Sequence, residues 1–369
     1  MTTKKFKISV YAIAKNEEKF VNRWLDSIQD ADEIVVVDTG STDKTLELLK
    51  KRGVKAIKKI IKPWRFDAAR NTALDLVSKD ADICVSMDLD EVMEQGWREK
   101  LERAWKTGVT RARYTFACTH DEKGSVVKTH PIEKIHSRFD YRWTHPVHEV
   151  LEYIGSGQEN KIYIPDLVVH HFPDYSKPRT QYLPLLELSA QENPDIPSVS
   201  FWLGREYYYK GKYDQAIKEL NRYLGLKDAV WEEERSAALR FMARSYMGKK
   251  DYYNSKIYLY RALAECPYIR EPYLDLVKIG YATEDWPLMY WACVQALKIT
   301  QSTGSYLVEE EAWGNAFYDY GAIACYHLGL YDQAFDYAAR ALSYAPDDQR
   351  IKKNLKLIEQ KRDEAKSQK

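Results

Sequence analysis

Four consecutive branched apolar residues, Ile34-Val35-Val36-Val37, run straight into Asp38. Successive strand side chains point to opposite faces, so an unbroken run of this kind suits a strand buried on both sides. Such a strand demands helices on both faces of its sheet, which parallel strands joined by crossover helices supply. The neighbouring sequence agrees. Lys7–Ile13 reads as a strand, and Glu17–Ser27 carries helical spacing at Phe20, Trp24 and Ile28. Thr42–Arg52 reads as a helix with Ser41 or Thr42 as its N-cap and Gly53 as its stop. A strand over Val54–Ile61 and a helix over Asp67–Ser78 follow. A second apolar run, Ile83-Cys84-Val85-Ser86-Met87, then breaks into Asp88-Leu89-Asp90-Glu91. From residue 6 to about 175 the expected class is α/β with a mostly parallel sheet. Ligands in such sheets gather at the carboxyl ends of the strands, where Asp38 and Asp88–Asp90 fall.

Alternation places Asp88 and Asp90 on one side of the chain and Leu89 on the other. Two carboxylates so close repel unless a cation separates them. Hard oxygen donors suit Mg²⁺ or Mn²⁺, ions that in turn grip a diphosphate. A solvated turn is the alternative reading for an isolated Asp-x-Asp.

The pattern changes after Pro173 and Pro178. Residues 180–369 hold no convincing strand and repeat a helix-turn-helix cue: Gly211-Lys212-Tyr213-Asp214-Gln215-Ala216 is echoed by Gly329-Leu330-Tyr331-Asp332-Gln333-Ala334. With weaker copies at Tyr252 and Trp286, the aromatic anchors are spaced 39, 34 and 45 residues apart. A small residue at the turn, an aromatic and then Ala, with a period near 34, resembles the tetratricopeptide repeat. Trp202-Leu203-Gly204 with Tyr208 fits the same pattern, whereas the 39- and 45-residue gaps depart from it. The expected domains are 1–178 and 179–369, the second an all-α array of stacked helix pairs, ending in a charged helix over Gln349–Lys369.

Four motifs of the first domain, in order, are similar to family 2 glycosyltransferases of the GT-A fold: Ala14-Lys15-Asn16-Glu17-Glu18, Val37-Asp38-Thr39-Gly40-Ser41-Thr42-Asp43, Phe66-Asp67-Ala68-Ala69-Arg70-Asn71 and Met87-Asp88-Leu89-Asp90-Glu91. The resemblance implies a nucleotide-sugar donor, a UDP-sugar favoured, with Mn²⁺ or Mg²⁺. Asn16, Glu17, Asp38, Gly40, Ser41, Arg70, Asn71 and Asp88 would then bind the donor. Asp88, Asp90 and His170 would hold the metal, with His171 as the fallback histidine. Each residue also has a plainer reading. Asp38 caps the following helix, Glu18 is first-turn helix charge, and Arg70 pairs with Asp67. The later cluster Ser137 to Glu149 resembles the branch that includes lipopolysaccharide-core and peptide S-glycosyltransferases. It implies His148 or Glu149 as the base that takes the acceptor proton, and Trp143 as a wall for a sugar or aglycone ring.

The chain of 369 residues carries a net charge of +1, evenly spread, which argues against a general nucleic-acid or anionic-membrane surface. The basic stretch Lys50 to Lys62 reads as a solvated helix end. Five scattered cysteines argue for a reducing compartment. With no signal peptide and no apolar stretch near the roughly 18–20 residues of a membrane span, the expected location is cytoplasmic. The expected acceptor is a peptide, protein or glycan. A modified nucleic-acid base is the less favoured acceptor, and an inert transferase half on a repeat scaffold is the non-enzymatic alternative. The repeats also offer a surface for homodimerisation.

Overall fold

The Val-rich run becomes the second strand of an eight-stranded sheet in the computed structural model, which describes residues 6–120, 124–174, 176 and 181–367. Up to the acidic motif the elements are β1 (Ile8–Ala14), α1 (Val21–Ser27), β2 (Glu33–Asp38), α2 (Thr45–Lys51), β3 (Lys55–Lys58), α3 (Phe66–Leu76) and β4 (Ile83–Ser86). Beyond it come β5 (Glu91–Met93), α4 (Trp97–Ala104), β6 (Arg111–His120), β7 (Val126–Ser137), β8 (Tyr141–Thr144), β9 (Val150–Tyr153), β10 (Lys161–His171) and α5 (Tyr182–Glu192). The sheet order is β3-β2-β1-β4-β7-β6-β10-β5, with β8 and β9 forming a separate hairpin. β3, β2, β1 and β4 are parallel, and β6 and β10 are parallel to each other; β7 and β5 run against their neighbours. This is the GT-A arrangement expected from the motifs.

Both faces of the sheet are covered, as the apolar runs require. Val36, Ile83 and Val85 pack with Trp24 and Leu25 of α1, Leu49 of α2 and Trp97 of α4. On the opposite face Val35, Val37 and Cys84 pack with Ala73 and Leu74 of α3 and Trp143 of β8. Trp143 is therefore core. The wall for a sugar ring expected at this position is not there, because the indole lies beneath Arg70 at 5.0 Å and is 4% exposed.

Helix α2 begins at Thr45 rather than at Thr42, and α1 at Val21 rather than at Glu17. The cause is local. The amides of Gly40, Ser41 and Thr42 donate to Asp38 and Asn16, while those of Glu17 and Glu18 donate to Thr45 and Asp43. Side chains that offer the backbone such partners compete with helix formation.

The chain divides into two compact units, Met1–Ser189 and Ala190–Lys369. The second contains helices only, among the described residues: α6 (Pro197–Tyr209), α7 (Tyr213–Leu224), α8 (Glu232–Gly248), α9 (Tyr252–Glu265), α10 (Glu271–Ala282), α11 (Trp286–Leu297), α12 (Ala316–His327), α13 (Tyr331–Tyr344) and α14 (Gln349–Ser367). The four aromatic anchors Tyr213, Tyr252, Trp286 and Tyr331 are each the first residue of the second helix in a pair. Gly204 shows why the repeat keeps a small residue there: a Cβ would meet the Leu220 side chain at 2.6 Å. No described helix is long and apolar enough to cross a membrane.

Candidate active site

The carboxyl end of β2 builds the first part of the site. Asp38 is fully buried, and its Oδ1 accepts the amides of Gly40 and Ser41, each at 2.9 Å. Its Oδ2 is buried without a hydrogen-bond partner among the described residues. Gly40 has φ 121°, a conformation that favours glycine, and a Cβ there would strike Ile60 at 2.8 Å. Across the gap, Asn16 sits at φ 56° after β1; its amide donates to Ser41 Oγ at 2.9 Å and its Oδ1 accepts Thr42 N–H at 2.8 Å. Glu17 follows with its amide on Thr45 Oγ1 at 2.7 Å. Asn16, Glu17, Asp38, Gly40 and Ser41 are thus one interlocked corner at the ends of β1 and β2.

Arg70, on α3, organises the second part. Its Nη1 lies 2.8 Å from Asp88 Oδ1, its Nη2 donates to Asp88 Oδ2 at 3.1 Å, and its Nε donates to Glu149 Oε1 at 2.5 Å. It does not pair with Asp67, which is held by Arg65. Burial works against the Arg70 charge, but Asp88 and Glu149 outweigh it and raise its pKa. Asn71 turns its amide away to the backbone of Trp143, donating to the carbonyl at 2.8 Å and accepting the N–H at 3.0 Å. Those bonds fix the hairpin that carries the next loop.

In that loop Glu149 meets Arg70, and His145 and His148 both adopt positive φ, 71° and 52°. Non-glycine residues held there store strain, a common property of functional loops. The His148 ring meets Tyr182 edge-on at 6.0 Å.

The sequence reading missed Lys134 and gave no role to Glu91. Lys134, on β7, donates to Asp88 Oδ2 at 2.9 Å and to Glu91 Oε1 at 2.8 Å. Glu91 is 2% exposed, and its other oxygen accepts the Asp88 amide at 2.9 Å. Burial depresses the Lys134 charge, yet the two carboxylates raise its pKa well above the ordinary value. Burial opposes ionisation of Asp88 too, but Arg70 and Lys134 hold its pKa far below normal. Glu91 goes the other way: burial raises its pKa, opposed by Lys134 and reinforced by Asp88. No local signal marks Lys134, because β7 pairs with β4 across the sequence.

Asp88, Asp90 and His170 do not converge. Asp88 is engaged by Arg70 and Lys134, and His170 bonds Glu94 at 3.0 Å and His120 at 2.9 Å. The histidine beside Asp90 is His171, with Nε2 3.3 Å from Asp90 Oδ2. Burial disfavours the charged His171 ring, but Asp90 and Glu91 outweigh it and lift its pKa. Pairing with β5 sets the phase: His171 stands opposite Glu91 and His170 opposite Val92, so the two rings leave opposite faces. His171 also lines an open pocket of about 250 Å³ with His120, Phe172 and Pro173.

A second buried chain positions the hairpin. Trp143 Nε1–H donates to Tyr11 OH at 2.8 Å, and Tyr11 OH stands 2.9 Å from His136 Nε2. His136 Nδ1 faces the Ser137 carbonyl at 2.7 Å, so that nitrogen carries the proton and Nε2 accepts from Tyr11. Burial pushes the His136 pKa down to about 3.

Residues 9–150 match the family described as Glycosyl transferase family 2. Among curated proteins, an uncharacterized glycosyltransferase of Rickettsia typhi is 44% identical over 59 residues, 16% of this chain and 19% of that protein. One of Rickettsia conorii is also 44% identical over 59 residues, 16% of this chain and 20% of the relative. The chain thus spans about a fifth of the length of the curated relatives it matches. Solved structures similar to it include the C-terminal part of a TPR repeat-containing protein from Cytophaga hutchinsonii, with 14% identity over 50% of this chain and 67% of that one and a TM-score of 0.41. A thermophilic TPR protein of Thermus thermophilus has 18% identity, covers 48% of this chain and 88% of that one, and gives a TM-score of 0.33.

Proposed function

From the family 2 glycosyltransferase domain carried by residues 9–150, we propose that this protein transfers a sugar from a nucleotide sugar, a UDP-sugar by preference, to a peptide, protein or glycan. The observation that carries the reading is Asp38. A buried carboxylate oxygen without a donor costs about 1–3 kcal/mol, and the adjoining corner of Asn16, Gly40 and Ser41 brings backbone close to it. An N–H or hydroxyl of a uracil or ribose edge would satisfy that oxygen.

The domain family implies a divalent ion, and the donor set fits one at Asp90 with His171. Their oxygen and nitrogen are 3.3 Å apart, whereas Asp88 already has two cationic partners. Among the described residues no three His, Cys, Asp or Glu side chains form a ready ligand set. Mg²⁺ and Mn²⁺ need few protein ligands when phosphate oxygens and water complete the shell. When bound, the ion neutralises the diphosphate as leaving group.

The protein's own groups do the rest. Arg70 holds Asp88 and Glu149 on one guanidinium, so the acceptor-side carboxylate is fixed beside the donor site. The acceptor nucleophile attacks the anomeric carbon opposite the diphosphate as Glu149 takes its proton. The new glycosidic bond forms as the bond to the diphosphate breaks, which inverts the carbon. His148, in its strained turn, shapes the acceptor entrance.

The test is a thermal-shift panel of UDP, GDP and CMP with Mn²⁺, repeated on Asp38→Asn. A nucleotide at about a hundred times its Kd adds about 2.7 kcal/mol of apparent stability. UDP is expected to raise the melting temperature of the wild type and to lose most of that effect in Asp38→Asn. A folded wild type that no nucleotide stabilises would contradict the reading.

A further inference from the structure

The helical unit holds an open cavity of about 570 Å³, a size that suits a small organic molecule. Tyr281 near the end of α10, Trp286 at the start of α11, and Tyr326 and His327 at the end of α12 line it, joined by Leu357 of α14. The rings are set as walls. His327 stacks flat on Trp286, with centroids 3.9 Å apart and planes within 5°. Tyr281 meets Trp286 at 74° and Tyr326 meets His327 at 87°, so both tyrosines stand nearly perpendicular to the stacked pair. The residues that widen the gap between Trp286 and Tyr331, 298–315, do not line this cavity. They are held against α8 and α10 instead, with Glu309 on Arg244 at 2.7 Å and Trp313 Nε1 donating to Glu271 at 3.1 Å.

One carboxylate shares these walls, that of Glu284. The turn inside each helix pair closes with the same backbone bond: the amides of Lys212, Asp251, Asp285 and Leu330 donate to the carbonyls of Tyr207, Tyr246, Gly280 and Cys325 at 2.8–2.9 Å. The residue before each of those amides is left-handed, with φ 69°, 62°, 55° and 72°. Glycine fills that position at Gly211 and Gly329, whereas Lys250 and Glu284 fill it in the other two pairs. A side chain there costs conformational energy that glycine avoids, and at 284 it places a carboxylate on the cavity wall. Asp285 takes Lys256 at 2.8 Å, while Glu284 has no ion-pair partner among the described residues. Other rings of the array carry their own cation: Arg270 faces Trp313 at 4.4 Å and Arg362 faces Phe335 at 3.9 Å. Among the described residues no Lys or Arg faces Tyr281, Trp286 or Tyr326.

Ring faces around one uncompensated carboxylate attract an organic cation, by the quadrupole of each ring and by charge. A primary ammonium needs three hydrogen-bond acceptors, whereas these walls offer rings, aliphatic carbon, one carboxylate and the Asn354 amide. A quaternary ammonium needs no acceptor and presents methyl groups to the rings. We propose that this cavity binds a small molecule carrying a quaternary ammonium group, with Glu284 as its counter-charge and Tyr281, Trp286 and Tyr326 as its cage. This inference does not depend on the donor chemistry of the first unit.

The probe is choline, titrated calorimetrically into the full-length chain beside the neutral alcohol in which carbon replaces its ammonium nitrogen. Choline is expected to bind saturably and at least about tenfold more tightly than the neutral alcohol. Glu284→Gln and Tyr281→Leu are each expected to weaken choline binding at least about tenfold. Tyr281 is 51% exposed, so its replacement leaves the helix packing in place. No saturation by choline below about 10 mM, equal affinity for the neutral alcohol, or unchanged affinity in folded Glu284→Gln would overturn the proposal. Should Glu284→Gln fail to fold, Glu284→Gly takes its place with the same expected loss, because glycine already holds the equivalent turns at Gly211 and Gly329; undiminished choline binding by that variant refutes the proposal.

Discussion

Replacing Lys134 by Met probes the buried ion network directly. The ammonium bridges Asp88 and Glu91 at 2.9 and 2.8 Å, and Glu91 is nearly sealed from solvent. Removing one partner of a buried pair leaves an uncompensated charge and costs about 3–5 kcal/mol. Asp88 keeps Arg70, so the cost falls mainly on Glu91. The pH dependence has a definite sign. A carboxyl whose folded-state pKa is raised binds its proton more tightly in the folded state, so its contribution is present at acid pH and is lost as pH climbs through the raised value. Lys134 opposes that rise in the wild type, and its removal extends the window upward. The deficit of Lys134→Met should therefore widen between about pH 5 and about pH 8, by at most about 1.4 kcal/mol per unit. Calorimetric melts of the N-terminal unit at both pH values measure it. Adding Glu91→Gln should recover more than half of the loss at the higher pH, because the buried charge is gone. Identical melts for wild type and Lys134→Met, or a deficit that does not change with pH, would refute the electrostatic account.

Tyr11→Phe strands the Trp143 N–H and His136 Nε2 and should cost about 2–6 kcal/mol, about 1–3 for each unsatisfied group, read as a lower melting temperature. Because the His136 pKa is depressed, its contribution is present above the ordinary histidine range and is lost as pH falls toward about 3; the slope on the acid side should flatten in His136→Gln. Gly204→Val forces a side chain into Leu220 and should destabilise the helical unit by about 1–3 kcal/mol, measured by urea melts of its helix signal. Glu149→Gln should lower kcat by about 10²–10⁴ while leaving UDP affinity nearly unchanged, measured by nucleotide release and calorimetric titration.

What the sequence revealed was local. The runs ending at Asp38 and Asp88 announce buried parallel strands because apolar continuity is a property of neighbouring residues, and the aromatic at each helix start is likewise a short-range signal. Long-range pairing decides the rest. Lys134 enters the site because β7 lies antiparallel to β4, and Trp143 is buried because Asn71 ties β8 over α3. Between His170 and His171 the choice is the phase of one strand, which a one-residue change in register would reverse. The 45-residue gap was visible as an irregularity, but only the contacts with α8 and α10 reveal where the extra residues lie.

The most direct test of the central claim is release of nucleoside diphosphate from a panel of nucleotide sugars with Mn²⁺, comparing wild type with Asp90→Asn. The account predicts turnover of one UDP-sugar by the wild type, reduced at least about a hundredfold in Asp90→Asn while the variant remains folded. Undiminished turnover by Asp90→Asn, or a folded wild type that consumes no nucleotide sugar with any peptide or glycan acceptor supplied, would contradict it.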